Sequence, residues 1–304
     1  MEKSINRITR RQALAATTIG GLGGATAFSA RANVLSSNTE KSAADSSSAA
    51  GISNANVCMV TPDVTQGPYY EPDVIERRDI TDGKKGVPLE LRVIIVDDSC
   101  RPIANARVDV WHSDAQGIYS GQLAQGDDHS VSTADDNFLR GTQYTDDHGA
   151  VVFNTIYPGW YAARTPHIHF KVFIDDKTRL TAQMYFPDAL SEYIYLNAPD
   201  YQRELERDTV NLTDWILVRS TRNSMAFVQE QVDRYVASIT YGVNPAAERV
   251  PEPAPPSRPN GAPIIIEQNT PPENRVSAMI PSAENALVAP AEEPTHPSPR
   301  SSGD

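Results

Sequence analysis

Short apolar runs separated by Gly, Pro and Asp turns fill the middle of this 304-residue chain. Residues 88–97 (PLELRVIIVD) alternate between apolar and polar positions and then become continuously apolar, which predicts a partly buried strand. Further runs rich in β-branched residues cover 105–112, 149–156 and 166–174. Residues 188–206 are compatible with a helix, and 225–241 fit a helix or a strand equally well. The spacing of these runs favours an all-β fold, an antiparallel β-sandwich.

The run from Pro166 to Ile174 is the clearest strand. Side chains two residues apart on a strand project from the same face. One face is therefore apolar (Ile168, Phe170, Val172 and Ile174), and the other carries His167, His169, Lys171 and Phe173. Two imidazoles on one face can bind a single metal ion. A lone His-x-His pair, however, more often belongs to a solvated strand face.

The N-terminus has the composition of a targeting segment. Arg10 and Arg11 precede an uncharged run rich in Ala, Gly and Thr, and Ala30-Arg31-Ala32 provides a small-x-small cleavage site. Residues 1–32 resemble a twin-arginine signal peptide, although Ala13 stands where a bulky apolar residue is usual. We therefore expect an exported protein, periplasmic or extracellular. The uncharged run is too short and too weakly apolar to be retained as a membrane anchor. We therefore expect no stable membrane span after the signal is removed.

Composition also separates the folded part of the chain from its two ends. Residues 33–56 are rich in Ser, Ala and Asn and predict a flexible spacer. The last 60 residues hold 14 of the 23 prolines and no Phe, Trp or Tyr. Residues 244–304 therefore lack the apolar surface that would offset the entropy of ordering. This composition predicts a disordered tail. Residues 57–243 remain as one domain, which is long enough to bury a core.

Charge and cysteine content narrow the class of partner and the compartment. The formal net charge of −12 repels the phosphate backbone of nucleic acids, and no basic patch offsets it, so nucleic acid is not an expected partner. The two cysteines, Cys58 and Cys100, do not have the spacing of a zinc pair. In an oxidising compartment they predict a disulfide, with two buried free thiols as the alternative.

Ordered sequence blocks extend from Thr61 to Pro187. They are TQGPYY at 65–70, ARVDVW at 106–111 leading to GIY at 117–119, FLRG at 138–141, FNTIYPGWY at 153–161 leading to HIHF at 167–170, and TAQMYF at 181–186. Any single block is weak, but the set in this order is specific. It resembles the intradiol ring-cleavage dioxygenases, the family of the catechol, hydroxyquinol and protocatechuate 3,4-dioxygenases. The resemblance implies a β-sandwich, in agreement with the strand pattern.

The four iron ligands of that family fall on Tyr119, Tyr161, His167 and His169. The resemblance implies a mononuclear, non-haem Fe(III) cofactor, and the donor types suit it because two phenolates are hard, anionic ligands that favour iron(III). Bonding to a strongly charged cation would deprotonate the phenols, whose pKa is ordinarily about 10. Without the paired histidines, both tyrosines would be interpreted as ordinary sandwich residues with satisfied hydroxyls.

The same resemblance implies the reaction, in which O2 cleaves a small aromatic diol, a catechol, between its hydroxyl-bearing carbons to a muconate-type diacid. Tyr161 would be the ligand that leaves when the catechol binds. Arg164 matches an arginine that favours the carbanion-like form of the substrate, and Gln183 matches a polar partner on the adjoining strand. Tyr69 would form a wall of the pocket. As alternatives, Arg164 pairs with a surface carboxylate, and Gln183 is an ordinary strand residue.

Several features depart from the family or stay open. Nothing before Thr61 has the amphipathic pattern of the helical segment through which catechol-cleaving members dimerise, so homo-oligomer formation stays open. The polar, acidic insert at 126–137 is expected to edge the pocket. His112 and His148 lack motif support as ligands and are expected at the surface or behind the ligands. The alternative functions are a non-catalytic sandwich that binds metal or phenolic ligands, and a zinc site built on the His-x-His pair.

Overall fold

The computed structural model describes residues 59–72, 75–220 and 224–247, together with Pro271 and Met279. The predicted signal peptide, the spacer and Cys58 lie outside these residues, as does the predicted tail from residue 248 onwards apart from the two named positions. Those predictions therefore stay predictions. Within the described residues, no helix has the length and apolar character needed to cross a membrane.

Eight strands and one α-helix form the regular structure of the described residues. The strands are β1 (Pro88–Val96), β2 (Arg107–Trp111), β3 (Arg140–Tyr144), β4 (Ala150–Ile156), β5 (His167–Ile174), β6 (Lys177–Tyr185), β7 (Phe227–Glu230) and β8 (Tyr235–Gly242). The helix α1 covers Asp188–Asn197, and short 3-10 turns cover Pro199–Tyr201 and Leu217–Arg219. The strands predicted from the hydrophobic pattern are confirmed as β1, β2, β4 and β5. The region that fits a helix or a strand equally well contains β7 and β8.

The strands form two four-stranded sheets, with the order β4-β1-β8-β7 in the first and β3-β2-β5-β6 in the second. The strand pairs of the described residues are antiparallel except for β1 and β8, which run parallel. The predicted β-sandwich is thus confirmed, with one parallel pair that the hydrophobic pattern does not indicate. A parallel pair cannot be joined by a hairpin, so β8 reaches β1 only after the chain has built the second sheet.

A hydrophobic core lies between the two sheets. Ile168, Phe170 and Val172 of β5 are fully buried and belong to the same apolar cluster as residues of the first sheet. The ring centroids of Phe170 and Tyr241, which lie on opposite sheets, are 5.5 Å apart. Burial of each such side chain contributes about 1.5–3 kcal/mol. The alternation along β5 therefore fixes which face of the strand turns towards the core.

The opposite face of β5 is buried as well. Its polar side chains are each at most 9% exposed (His167, His169 and Lys171), so the interpretation of this face as solvated is wrong. Residues 61–72, here called the cover segment, cross it. Lys171 Nζ donates to Gln66 Oε1 at 2.6 Å, and the N–H of Val64 donates to the carbonyl oxygen of Thr181 at 3.0 Å. The cover segment thus shields a polar sheet face from water.

Strand β3 is an element that the hydrophobic pattern does not predict. Its sequence, RGTQY, has no alternation of apolar residues. Gly141 leaves room for Ile80, since a Cβ on Gly141 would lie 2.5 Å from Ile80 Cγ2. Arg140 is buried and donates from Nε to Ser120 Oγ at 2.8 Å. Backbone pairing with β2 and polar contacts, rather than apolar periodicity, define this strand.

Replacing Phe170 by Ala should lower the free energy of unfolding by about 3–5 kcal/mol, because it removes a buried ring and leaves a cavity between the sheets. The matched variant Phe227→Ala removes the same ring from β7, where the side chain is 47% exposed, and should cost less than about 1 kcal/mol. Urea unfolding followed by circular dichroism measures both values. Equal losses in the two variants would contradict this assignment of the core.

Candidate metal centre

Strand β5 positions the two histidines. In the sheet, His169 lies opposite Trp111 of β2 and Gln183 of β6. The indole of Trp111 stacks on the imidazole of His169, with ring centroids 4.7 Å apart and planes inclined by 11°. The Nε2 atoms of His167 and His169 are 3.0 Å apart. The alternation of side chains along β5 thus brings two imidazole nitrogens to one point.

Two loops bring Tyr119 and Tyr161 to the same point. Tyr119 follows a turn in which the N–H of Asp114 donates to the carbonyl oxygen of Ile118 at 2.8 Å. Tyr161 follows Gly159, whose N–H donates to the carbonyl oxygen of Asp114 at 2.9 Å. A Cβ on Gly159 would lie 2.5 Å from that same oxygen, so only glycine permits the approach. The two loops therefore pack backbone against backbone.

The four candidate ligands converge in a buried region. Tyr161 Oη is 3.2 Å from His167 Nε2. The ring centroid of Tyr119 is 5.5 Å from that of Tyr161 and 6.2 Å from that of His169. The buried Tyr119 hydroxyl forms no geometrically acceptable hydrogen bond with any described residue. A buried hydroxyl without a partner is costly, and a bound cation would satisfy it.

Both imidazoles are uncharged. Nδ1 of His167 lies 2.7 Å from the carbonyl oxygen of Thr165, which assigns the proton to Nδ1 and leaves a lone pair on Nε2. Burial, followed by the positive charge of Arg164, lowers the pKa of His167 and of His169 well below the usual value. The two rings are therefore neutral, and the Nε2 lone pair of His167 is available to a cation.

The two phenols decide which cation the site suits. Burial raises the pKa of Tyr119 well above its ordinary value, and it raises the pKa of Tyr161 even though Arg164 opposes the shift. A cation that binds here must therefore be strongly charged to displace the phenol protons. In the part of the chain that the structure describes, no group of three or more His, Cys, Asp and Glu side chains could hold a metal. A metal ion held at this point would therefore need the two tyrosines as ligands beside the two histidines.

Arg164 reaches the centre from the loop that precedes β5. Its Nη2 donates to Gln183 Oε1 at 2.5 Å, and its Nη1 lies 3.4 Å from His167 Nε2. The structure therefore brings both predicted polar residues together beside the candidate ligands. Burial alone would lower the pKa of Arg164, but the negative charge of Asp214 raises it above its ordinary value. The guanidinium stays cationic.

Asp214 anchors Arg164, and nothing in the sequence pattern identifies it. Its fully buried carboxylate accepts hydrogen bonds from Arg164 Nε at 2.8 Å and from the N–H of Thr165 at 2.9 Å. The other carboxylate oxygen accepts from the N–H groups of Ile216 and Leu217, both at 2.9 Å. The partner of Arg164 is thus a buried carboxylate rather than a surface one. Asp214 lies beyond the sequence blocks, in a segment without strands.

Tyr69 lies against the candidate ligands. Its ring stacks on that of Tyr119, with centroids 4.4 Å apart, and meets Tyr161 edge-on at 6.1 Å. Arg140, which no sequence motif singles out as functional, holds this arrangement. It donates from Nη1 to the carbonyl oxygen of Tyr69 at 2.6 Å and from Nη2 to that of Ser120 at 2.7 Å. One buried arginine thereby ties the cover segment to the loop of Tyr119.

A cavity of about 270 Å³ opens beside these residues. Its wall includes Tyr69, Tyr161, Trp160, Arg203 and, from the acidic insert, Gly126, Asp127 and His129. Three residues of the insert thus line this cavity, as expected if the cavity takes the substrate. The volume lies just below the roughly 300–1,000 Å³ of small-molecule pockets, which suits a ligand with one ring.

Four predicted residues remain, namely two histidines and the two cysteines. His112 is fully buried, which excludes the surface position and agrees with the alternative that it lies behind the ligands, since it follows Trp111, whose ring stacks on that of His169. Its Nε2 lies 2.7 Å from Thr155 Oγ1, and burial lowers its pKa to about 4. His148 is exposed. Cys100 belongs to a disulfide, but its predicted partner Cys58 lies outside the described residues, so the pairing stays a prediction.

The region that contains the site matches known proteins. The family model described as Dioxygenase matches residues 61–198. The protocatechuate 3,4-dioxygenase beta chain of Burkholderia cepacia is 37% identical over 137 residues, which are 40% of this chain and 57% of that protein. The catechol 1,2-dioxygenase of Acinetobacter baylyi is 27% identical over 220 residues, which are 64% of this chain and 67% of that protein. The chain thus spans little more than half of the first protein and about two thirds of the second.

A solved structure is similar over most of its length. An intradiol ring-cleavage dioxygenase from Tetranychus urticae matches with a TM-score of 0.57 and 29% identity, over 63% of this chain and 98% of that one. The family match includes all four candidate ligands. The fold, the ordered sequence blocks and both kinds of match agree, and residues 61–198 form a domain of the intradiol ring-cleavage dioxygenase type.

Proposed function

We propose that this chain is a non-haem iron(III) dioxygenase that cleaves a catechol with O2 between its hydroxyl-bearing carbons and releases a muconate-type diacid. The observation that carries the proposal is the convergence of two neutral imidazoles and two phenols, one of them unpaired, at one buried point. These donors fit one iron ion, held by two Nε2 atoms and two phenolate oxygens. When bound, the ion supplies Lewis acidity and draws electron density from the catecholate, so that a ring carbon can react with O2.

Tyr161 is the candidate ligand best placed to yield to the substrate. It lines the cavity and is partly exposed, whereas Tyr119, His167 and His169 are at most 2% exposed. A catechol that enters from the cavity therefore meets Tyr161 before the other three. If Tyr161 gave way to the catechol at a bound ion, its phenolate oxygen could accept one of the two catechol protons.

Arg164 and Gln183 supply a fixed electrostatic environment beside the ring. The guanidinium is held by Asp214 on one side and by Gln183 on the other, at 2.8 Å and 2.5 Å. A cation that cannot rotate away stabilises negative charge as it develops on the ring carbon, without reorganisation during the reaction. The cover segment, with Tyr69, excludes water and so keeps this interaction strong.

The purified chain should contain about one iron(III) ion per molecule and show the red colour of tyrosinate-to-iron charge transfer. The variant His169→Ala should lose iron, colour and O2 uptake together, because one donor is missing. The matched variant His148→Ala removes an exposed imidazole and should keep all three. Elemental analysis, visible spectra and an oxygen electrode with catechol measure these properties.

The same measurements separate the alternatives. A colourless protein that carries stoichiometric zinc would favour a zinc site on the histidine pair. A coloured protein that consumes no O2 with catechol, hydroxyquinol, protocatechuate or substituted catechols would favour a non-catalytic sandwich that binds metal or phenolic ligands. A His169→Ala variant that keeps its colour would show that the ligand assignment is wrong.

Replacing Arg164 by Gln should lower kcat for catechol by about 10²–10³-fold while the iron content stays unchanged, because Arg164 stabilises developing charge and does not bind the metal. The control variant Arg101→Gln changes a side chain that is 77% exposed, and its kcat should match that of the unmodified protein. Steady-state O2 uptake and the visible spectrum are compared for both variants. Loss of the red colour in Arg164→Gln would show that the residue holds the site together instead.

We also propose that the chain is exported through its twin-arginine segment. The sequence motif supports this proposal, and a disulfide at Cys100 suits an oxidising compartment. A double substitution, Arg10→Lys with Arg11→Lys, should retain the protein in the cytoplasm, whereas Arg7→Lys should leave export unchanged. Fractionation of the expressing cells and immunoblotting measure the distribution. Normal export of the double variant would exclude this route.

A further inference from the structure

The wall of the cavity contains an arginine that is already neutralised. Arg203 donates from Nε to Asp127 Oδ2 at 3.2 Å and from Nη2 to Asp127 Oδ1. Its Nη1 donates to the carbonyl oxygen of Trp160 at 2.6 Å. The guanidinium also stacks on the Trp160 ring, 3.8 Å from its centroid. All three nitrogens of this cation are therefore engaged by the protein.

The position of this pair connects it to the proposed substrate site. Both side chains line the same cavity as Tyr161 and Tyr69, and Trp160 precedes Tyr161 in the chain. The side chain of Arg203 is 6% exposed and that of Asp127 is 36% exposed. The carboxylate of Asp127 is thus in contact with solvent, while the guanidinium of Arg203 is buried. Among the described residues that line the cavity, Arg203 is the only Arg or Lys.

We propose that the Arg203–Asp127 pair determines substrate specificity, so that the cavity accepts catechols with uncharged ring substituents and disfavours those that carry a carboxylate. This inference rests on the proposed function. A carboxylate on the ring would have to replace Asp127 at Arg203 and would meet the negative charge of Asp127 at the opening. Such a juxtaposition of like charges acts against one class of ligand without contributing contacts to the other.

The proposal predicts a change of specificity when the carboxylate of Asp127 is neutralised. The unmodified enzyme should have a kcat/KM for 4-methylcatechol about tenfold or more above that for protocatechuate, which carries a carboxylate at the same ring position. Asp127→Asn should shift this ratio about tenfold towards protocatechuate, because the guanidinium of Arg203 is released for the substrate. Oxygen uptake measures both constants. The assay is run at about pH 8, because histidine side chains with an ordinary pKa are neutral there and add no positive charge.

Two further variants make the test specific. Asp128→Asn removes the same charge from the neighbouring residue, which does not line the cavity, and should leave the ratio of the two kcat/KM values unchanged. Adding Arg203→Gln to Asp127→Asn should remove the gain for protocatechuate. An unmodified enzyme that prefers protocatechuate, or an Asp127→Asn variant with an unchanged ratio, would overturn the proposal.

Binding of unreactive ligands separates this inference from the proposed activity. 4-Methylphenol and 4-hydroxybenzoate lack the second hydroxyl and differ in the same substituent, so calorimetry can measure their Kd without turnover. The unmodified protein should bind 4-methylphenol more tightly than 4-hydroxybenzoate. Asp127→Asn should lower the Kd for 4-hydroxybenzoate about tenfold. If every catechol is inert but the Kd shifts in this way, the dioxygenase assignment fails and the role of the Arg203–Asp127 pair in specificity is supported. If catechols are cleaved but the Kd of neither ligand changes in Asp127→Asn, the role of the Arg203–Asp127 pair in specificity is wrong and the proposed activity is unaffected.

Discussion

Burial of both faces of β5 is the constraint on which the site depends. A strand with one apolar and one polar face ordinarily leaves the polar face in water, but here the cover segment crosses it. Every polar group on that face must then find a partner inside the protein, because an unpaired buried group costs free energy. Lys171 finds Gln66, and His167 finds the carbonyl oxygen of Thr165. In the proposed function, the two imidazoles and the Tyr119 hydroxyl are the groups that a metal ion would engage.

The parts of the site that could be predicted from the sequence are those with local periodicity or an ordered motif. The period of two along β5 places His167 and His169 together, and this deduction needs no further information. Tyr119 and Tyr161 lie on loops, where no periodicity applies, and were identified only through the resemblance of the surrounding blocks. Asp214 is 50 residues from its partner Arg164. An isolated aspartate in an acidic chain gives no indication of such a distant contact.

The fold shows the same limit. The strands with apolar alternation were predicted, whereas β3 was not, because its residues contact polar groups and use a glycine to admit Ile80. The parallel pairing of β1 with β8 was also not predicted, since register and partner depend on packing over long sequence separations. Local pattern therefore identifies the class of fold, and the details that position Arg140 and the cover segment depend on tertiary contacts.

Two buried arginines of this domain form ion pairs with aspartates, and the two pairs leave different parts of the guanidinium accessible. Burying a salt bridge brings little net stability, because desolvation offsets most of the attraction. Asp214 binds Arg164 through Nε and leaves the other end of the guanidinium directed at Gln183 and His167. Asp127 instead engages both Nε and Nη2 of Arg203. Asp214 therefore orients the positive charge of Arg164, whereas Asp127 occupies the nitrogens of Arg203 that a substrate carboxylate could otherwise bind.

The parallel pairing of β1 with β8 has a consequence for the order in which the chain can fold. The second sheet, which carries the histidines, is built from strands within residues 107–185. The first sheet needs Pro88–Val96 and Tyr235–Gly242 side by side, so during synthesis β1 has β4 as its neighbour until the end of the domain has emerged. Long-range pairings of this kind form slowly. The ligand-bearing sheet can therefore assemble while the sheet that closes the core behind it is still incomplete.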